Sequence, residues 1–435
     1  MQFKLFNIKN FLVICICFIC SSILISQTPA KKQKEAIGIK NATLHIGNGK
    51  IIEKGFIGFI DGKINFIGAI SDANIPTYSK IIDAENKHIY PGLIAVNTNL
   101  GLVEIDAAKQ TRDFAEVGNL NPNVRSIIAY NAESKVIGTV RSNGVLLAQI
   151  VPQGGRISGS SSVVELDAWN WEDAALNIDE GIHLNWPSLS ALNFSDDNDS
   201  KKRNLEYLRQ KQELDLFFSE CQAYLKNPNH DAKNLKFEAM EKVFDSKANL
   251  YIHVEEAKEM MASIAFAEKY SITPVIVGGY QSFMILDFLK QHHIPVILGR
   301  PHSLPSNEDD DINQCYKNAK ILKDAGILYC LSDIGFWQQR NLPFQAGESV
   351  AFGLDKESAL SSVSLNTAKI LKIDNQVGSL EIGKDATFVI SDGDLLNYLG
   401  NKVKSAYIKG KELDLDNKQK ELFRTYQTKF ESPNK

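Results

Sequence analysis

Residues 248–333 carry four short apolar runs: ANLYIHV (248–254), PVIVGG (274–279), IPVILGR (294–300) and ILYCLSD (327–333). Each is rich in branched and aromatic side chains and has the length of a strand. Between them lie EEAKEMMASIAFAEKY, SFMILDFLKQHH and INQCYKNAKILKDAG. These read as helices, with Met260, Met261 and Ile264 at helical spacing in the first. Strand and helix in alternation are βα units, which build a parallel sheet. Runs without polar alternation suit strands covered on both faces.

Working outward, LIAV (93–96) follows the Pro91-Gly92 turn signal and reads as another buried strand. IGTVRSNGVLLAQIVPQ (137–153) and SSVVELD (161–167) supply further strands in a less regular region. Residues 188–215, with SDDNDSKKRN (195–204), read as an exposed polar connection leading into a helix. The span 92–375 holds enough units for a (β/α)8 TIM barrel, with a doubly wound open sheet as the alternative. The flanks differ. Residues 29–91 are β-rich and broken by glycine, with the hairpin dipeptides Asn48-Gly49 and Asp61-Gly62. The same style returns in 376–415, so the two ends are expected to form one small β-sandwich into which the barrel is inserted. Residues 416–435 form a tail.

The first 28 residues stand apart. Lys4 and Lys9 precede an apolar stretch from Phe11 to Ile25, then polar Ser26-Gln27-Thr28. That is the layout of a secretory signal peptide, with cleavage expected near residues 26–30. The stretch is short for a membrane span, so an exported protein (periplasmic or secreted) with no stable span is expected. Cleavage shifts the formal charge from −4 to about −6 and leaves three cysteines, Cys221, Cys315 and Cys330. Their spacing suits buried apolar residues, not a disulfide framework or structural zinc site. The small charge and the lack of basic runs argue against nucleic acid as a partner.

In a barrel, ligands bind where the strands end. That rule selects Asn97 and Asn99, Pro152 to Gly155, His253, Gly278 and Gly279, Arg300 and His302, and Asp333. His253 has the chemistry of a metal ligand or general base. Asp333 can bind metal or move a proton, or cap a helix. Arg300 and His302 can hold an anionic group, or lie on a surface loop. The glycine-rich QGGRISGSSS (153–162), with Gly155 and Arg156, is a candidate anion cradle or a tight inter-strand loop. Trp169 and Trp171 are pocket-lining candidates or packing aromatics. Asn97 and Asn99, alternate residues on a strand, are expected on one face.

HIYPGLIAVNTNLGL (88–102), IVPQGGRISGSSSVVELD (150–167) and LSSVSLNTAKILKIDNQVGSLEIGKDATFVISDGD (360–394) together resemble the amidohydrolase superfamily, in its imidazolonepropionase-like and prolidase-like branch. The resemblance implies a hydrolase of carbon–nitrogen bonds in small amides, using metal-activated water. It implies His-x-His after the first strand, where this chain has Asn97 and Asn99. It implies His at the fifth strand's end, matched by His253, and His at the sixth, where Gly278-Gly279 stand. It implies Asp at the eighth, matched by Asp333. The carried-over metal set is therefore His253 and Asp333, with His302 as a candidate third ligand outside the family pattern. Amide oxygens suit hard cations better than zinc. One divalent metal, zinc or another, or none at all, is compatible with this set. His253 and Asp333 are also a candidate metal-free acid–base pair. Asn97, Asn99, Arg300, His302, Gly155 and Arg156 are the candidate substrate-binding residues. Two functions follow: a hydrolase with an altered metal site, or an inactive relative that binds a small ligand. The inactive relative would also suit a homo-oligomer or a complex with an active paralogue.

Overall fold

The computed structural model describes residues 28–72, 74–189, 199–227 and 232–431, with side chains of 199–201 left aside. Residues 1–27 of the expected signal peptide lie outside the described residues, as do residues 190–198 of the polar connection expected over 188–215. A long helix begins at Asp199.

The N-terminal strands are β1 (Ile37–His45), β2 (Ile51–Ile60), β3 (Lys63–Ala69), β4 (Lys80–Asp83) and β5 (His88–Pro91). The turn between β2 and β3 is Asp61-Gly62, both with positive φ. Two such residues fit the right-handed twist of the strands they join. The chain leaves this sheet through the barrel strands β6 (Leu93–Thr98), β7 (Val145–Ile150), β8 (Ile157–Glu165), β9 (Ala175–Asn185), β10 (Asn249–Val254), β11 (Val275–Gly278), β12 (Val296–Leu298) and β13 (Tyr329–Leu331). It returns to the first sheet as β14 (Phe388–Ser391), β15 (Val403–Ile408) and β16 (Lys411–Glu412).

β14 pairs antiparallel with β5, Phe388 opposite Pro91. The first sheet therefore runs β16-β15-β14-β5-β1-β2-β3, with β4 beside β1. Its core joins both ends of the chain: Ile39, Leu44, Ile57 and Phe59 pack with Phe388 and Tyr407.

The second sheet runs in chain order from β6 to β13, a nearly closed barrel with helices between most strands. These include α1 (Lys135–Arg141), α2 (Asp199–Lys226), α3 (Leu235–Phe244), α4 (Ala257–Lys269), α5 (Leu286–Gln291), α6 (Gln314–Ala325) and α7 (Leu342–Ala351). One strand departs from the regular βα plan. β8 runs antiparallel to both β7 and β9. The β7–β8 connection, residues 151–156, is too short for the crossover a parallel pair needs. The reversal sends residues after β8 to the end of the barrel opposite the mouth. Trp169 and Trp171 follow β8, so they do not line a pocket at the mouth; Trp169 is exposed.

β6 and β13 are the two ends of the strand order. Side chains close the seam between them. Thr98 Oγ1 donates to the Gly335 carbonyl at 2.7 Å, and Gln339 Nε2 donates to the same oxygen at 2.8 Å.

Candidate functional site

The mouth is formed by the C-terminal ends of β6, β7 and β9–β13. At the end of β6, Asn97 has φ +55°. The register with β7 slips there, from Ala95 opposite Ala148 to Thr98 opposite Ile150. This is a bulge, so the two-residue period that would place Asn97 and Asn99 on one face does not carry through. The Asn97 N–H donates to Gln149 Oε1 at 3.0 Å. Asn99 is buried, and its Oδ1 has no hydrogen-bond partner.

β9 and β10 carry a feature that the sequence reading missed. Their register sets Tyr251 opposite His183 and His253 opposite Asn185. His183 Nδ1 lies 2.8 Å from His253 Nε2. The His183 ring also stacks on Tyr251, centroids 4.6 Å apart. Gly181 makes room for that ring, since a Cβ there would stand 2.2 Å from Tyr251 Cε2. Beneath, Glu180 ties the strands together. Its carboxylate accepts from Gln149 Nε2 at 2.6 Å, Ser161 Oγ at 2.5 Å and Tyr251 OH at 2.7 Å. Burial lowers the pKa of both imidazoles, that of His253 to about 4 and that of His183 well below the ordinary value. Both rings are therefore neutral at neutral pH. Nε2 of His183 is buried without a partner.

His183 was legible in principle. In ALNIDEGIHLNW (175–186), Leu176, Ile178, Ile182, Leu184 and Trp186 share one parity, broken at Glu180, and polar residues, glycine and Ala175 take the other. That period marks a strand with His183 on its other face.

Asp333, just past β13, is buried, with Oδ1 accepting the Ile334 N–H at 2.8 Å and Oδ2 unpartnered. Burial pushes its pKa up to about 6, against the opposing pull of that N–H and of Arg300. Asp333 thus answers to Arg300, and no charge of Asp333 figures among the influences on His253. His253 and Asp333 share no hydrogen bond or ion pair among the described residues. They stand as separate groups, not as a contacting acid–base pair. His302 is exposed on the loop after β12, its N–H donating to Gln345 Oε1 at 3.1 Å.

Gly155 and Arg156 are engaged within the protein. A Cβ on Gly155 would stand 2.9 Å from the Gly118 carbonyl oxygen, and its own carbonyl accepts from Asn185 Nδ2 at 2.9 Å. Arg156 Nη1 donates to the Asn185 carbonyl at 2.7 Å, and Nη2 donates to Gln210 Oε1 on α2. The glycine-rich turn is an inter-strand loop whose arginine reaches α2, with one donor of each terminal guanidinium nitrogen engaged within the protein. Gly278 and Gly279 both have positive φ. A Cβ on Gly278 would stand 2.2 Å from Glu255 Oε1, so that carboxylate fills the space a side chain at 278 would take.

Among the described residues, no group of three or more His, Cys, Asp or Glu is placed to hold a metal ion. Cys221 and Cys330 are buried free thiols, as their spacing suggests.

A nearly closed eight-stranded barrel joined to a β-sheet built from both chain ends, with polar groups gathered at the strand ends, defines a TIM-barrel-like α/β fold with a separate β-sheet domain. The model of the amidohydrolase family matches residues 337–413, which include the C-terminal stretch that carries the resemblance. A curated relative, "Amidohydrolase tasK" of Hapsidospora irregularis, is 21% identical over 399 residues, 80% of this chain and 38% of that protein. This chain thus spans well under half the length of that relative. Among solved structures, an amidohydrolase from Thermotoga maritima MSB8 superposes with a TM-score of 0.74 at 22% identity, covering 87% of this chain and 99% of that one. A prolidase complexed with N-methylphosphonate-L-proline superposes with a TM-score of 0.51 at 14% identity, covering 87% and 99%. Family match and fold together support the amidohydrolase superfamily, as 88–102 and 360–394 imply.

Proposed function

We propose that this chain is an exported hydrolase of amide-type carbon–nitrogen bonds in small molecules, working at an altered metal site. One observation carries the reading. Asn99 Oδ1, His183 Nε2 and Asp333 Oδ2 are buried polar atoms without partners, on residues at the strand ends. Such atoms are costly to leave unpaired, and a ligand at the mouth supplies what the fold does not.

The donor set does not fit the zinc that the superfamily implies. Catalytic zinc takes about three protein ligands from imidazole, thiolate or carboxylate. Here the first-strand positions are amides, Gly278 has no side chain, and His183 and His253 spend a nitrogen each on one another. We therefore derive no step through a metal. Hydrolysis of an amide needs a group that takes a proton from water and returns one to the leaving nitrogen. Asp333, with a pKa of about 6, exchanges a proton readily near neutrality. His253 is the weaker base and serves as a neutral hydrogen-bonding group beside the substrate.

The test combines elemental analysis of protein purified without added metal with turnover of dipeptides and cyclic amides. Asp333→Asn abolishes turnover and His253→Ala reduces it. If wild type and both variants are equally inactive, with or without added zinc, manganese or calcium, the hydrolase reading fails. Export is checked by N-terminal sequencing of the mature protein; a chain retaining Met1 in the cytoplasm removes that part. Among the described residues, no helix is long and apolar enough to cross a membrane.

A second reading is an inactive relative that binds a small ligand or assembles with an active paralogue. The amides at 97 and 99 and the absence of a three-donor group among the described residues favour it. Tight stoichiometric zinc, lost on Asp333→Ala, would count against it.

A further inference from the structure

Helix α2 is apolar on two faces. Its inner face packs on the barrel: Leu214, Phe217, Phe218 and Cys221 are buried, and Phe217 and Phe218 meet Phe237 and Phe244 of α3. A surface helix needs one such face, with polar residues opposite. On the outer side, however, Leu205, Leu208 and Leu216 are 66%, 51% and 59% exposed. Gln212 and Ser219 are exposed with them. Leu205, Leu208, Gln212, Leu216 and Ser219 follow one another at steps of three, four, four and three residues. Those steps set them in one stripe along the helix, the spacing of a seam that packs on another helix.

The stripe is nearly symmetric about Gln212, with a leucine four residues to either side. Charge along the helix is antisymmetric about the same point. Lys202, Arg203, Arg209 and Lys211 outnumber Glu206 before it. Glu213, Asp215 and Glu220 outnumber Lys226 after it, with Lys269 of α4 against Asp215. We propose that α2 is a self-association surface, on which two copies of this chain pair antiparallel about a twofold axis at Gln212. Such an axis requires a patch complementary to itself. It sets Leu208 against the partner's Leu216 and Leu205 against the partner's Ser219. The basic half of each helix meets the acidic half of the other, whereas a parallel pair would set like on like. Two Gln212 amides meet on the axis, and a polar pair within an apolar seam fixes its register. Arg209 already pairs with Glu206 and Glu213 in its own helix, so the leucines supply the affinity and the charges the direction. The inference is independent of hydrolysis.

The experiment is sedimentation velocity of the full mature chain over a concentration series, followed by cross-linking with a short bismaleimide on a Cys315→Ser background. Wild type dimerises with a Kd of about 1–100 µM, as suits a small interface. Leu208→Asp and Leu216→Asp each weaken association about tenfold or more, and thermal melts stay as in wild type because both positions are exposed. Gln212→Cys links to itself. Leu205→Cys and Ser219→Cys do not, since each stands about 20 Å from its own copy, but the two link to each other when mixed. A chain that is monomeric throughout the series overturns the proposal. So does a dimer that both aspartate variants leave intact, which would place the interface elsewhere. Self-linking by Leu205→Cys and by Ser219→Cys would mean a parallel pair and overturns it as well. Should an aspartate variant fail to fold, the cross-linking pattern decides.

Discussion

His183 and His253, on neighbouring strands, hold each other at 2.8 Å, Nδ1 to Nε2. A contact that short needs one proton between two nitrogens, so one ring donates and the other accepts. Doubly protonated rings would set two N–H groups against each other. The pair is thus a fixed neutral unit, anchored below by the Tyr251 stack and beside Asn185.

That arrangement sets a pH dependence. A free imidazole has a pKa of about 6.5, and His253 is lowered to about 4. Between these values the unfolded chain binds more protons than the folded one. The pair's contribution to stability is therefore complete above about 6.5 and is lost as pH falls toward 4. Proton NMR of the imidazole resonances checks this: His253 keeps its neutral shift at pH 5.5. A His253 midpoint above 6 would rule the arrangement out.

Gly278 separates two costs. A side chain there meets Glu255 Oε1 at 2.2 Å and must adopt φ +93°. Gly278→Ala is expected to destabilise by roughly 1–3 kcal/mol, collision and backbone strain together. Glu255→Ala in the same chain relieves the collision and leaves the strain. The double variant should recover at least about 0.5 kcal/mol relative to additivity in urea melts. Strict additivity would show that the carboxylate does not occupy that space.

Gly181 faces the Tyr251 ring at 2.2 Å with no positive φ. Gly181→Ala therefore costs displacement of the ring, together with a close approach of 3.0 Å to the Asn249 carbonyl oxygen, and moving the ring also disturbs the Tyr251–Glu180 hydrogen bond and the His183 stack. A loss of about 1–3 kcal/mol is expected by chemical denaturation. A change in the His253 imidazole resonance should accompany it. Wild-type stability in that variant would mean that the ring does not fill the space beside Gly181.

The barrel was legible because β10 to β13 are uninterrupted apolar runs separated by helical spacing. The reversal of β8 was not, because strand direction depends on a short connection that reads equally as loop or turn. His253 and Asp333 stood out because each ends an obvious strand. His183 was hidden because its strand follows an irregular region, and Asp179 bends it with φ +52°. The Glu255–Gly278 relationship joins two strands' ends through space, and no periodicity in either segment encodes it. Arg156 was legible as a cation but its partners were not, since Asn185 and Gln210 lie far along the chain.

Asp333 carries the last prediction. Its folded pKa, about 6, lies above the 3.8 of an ordinary aspartate. Here the folded chain binds more protons than the unfolded one between those values. Stability from this group is therefore greatest below about 4 and falls as pH rises toward 6. Above 6 the ionised, buried carboxylate costs roughly 2–3 kcal/mol, since each tenfold change in its ionisation equilibrium is worth about 1.4 kcal/mol. Asp333→Asn carries no charge at any pH. The difference in stability between variant and wild type should thus move in the variant's favour from pH 4 to pH 7.5, whatever its absolute sign. Thermal melts of both proteins across that range measure it. If the difference is flat, Asp333 ionises normally, and the case for it as the residue that moves the proton goes with it.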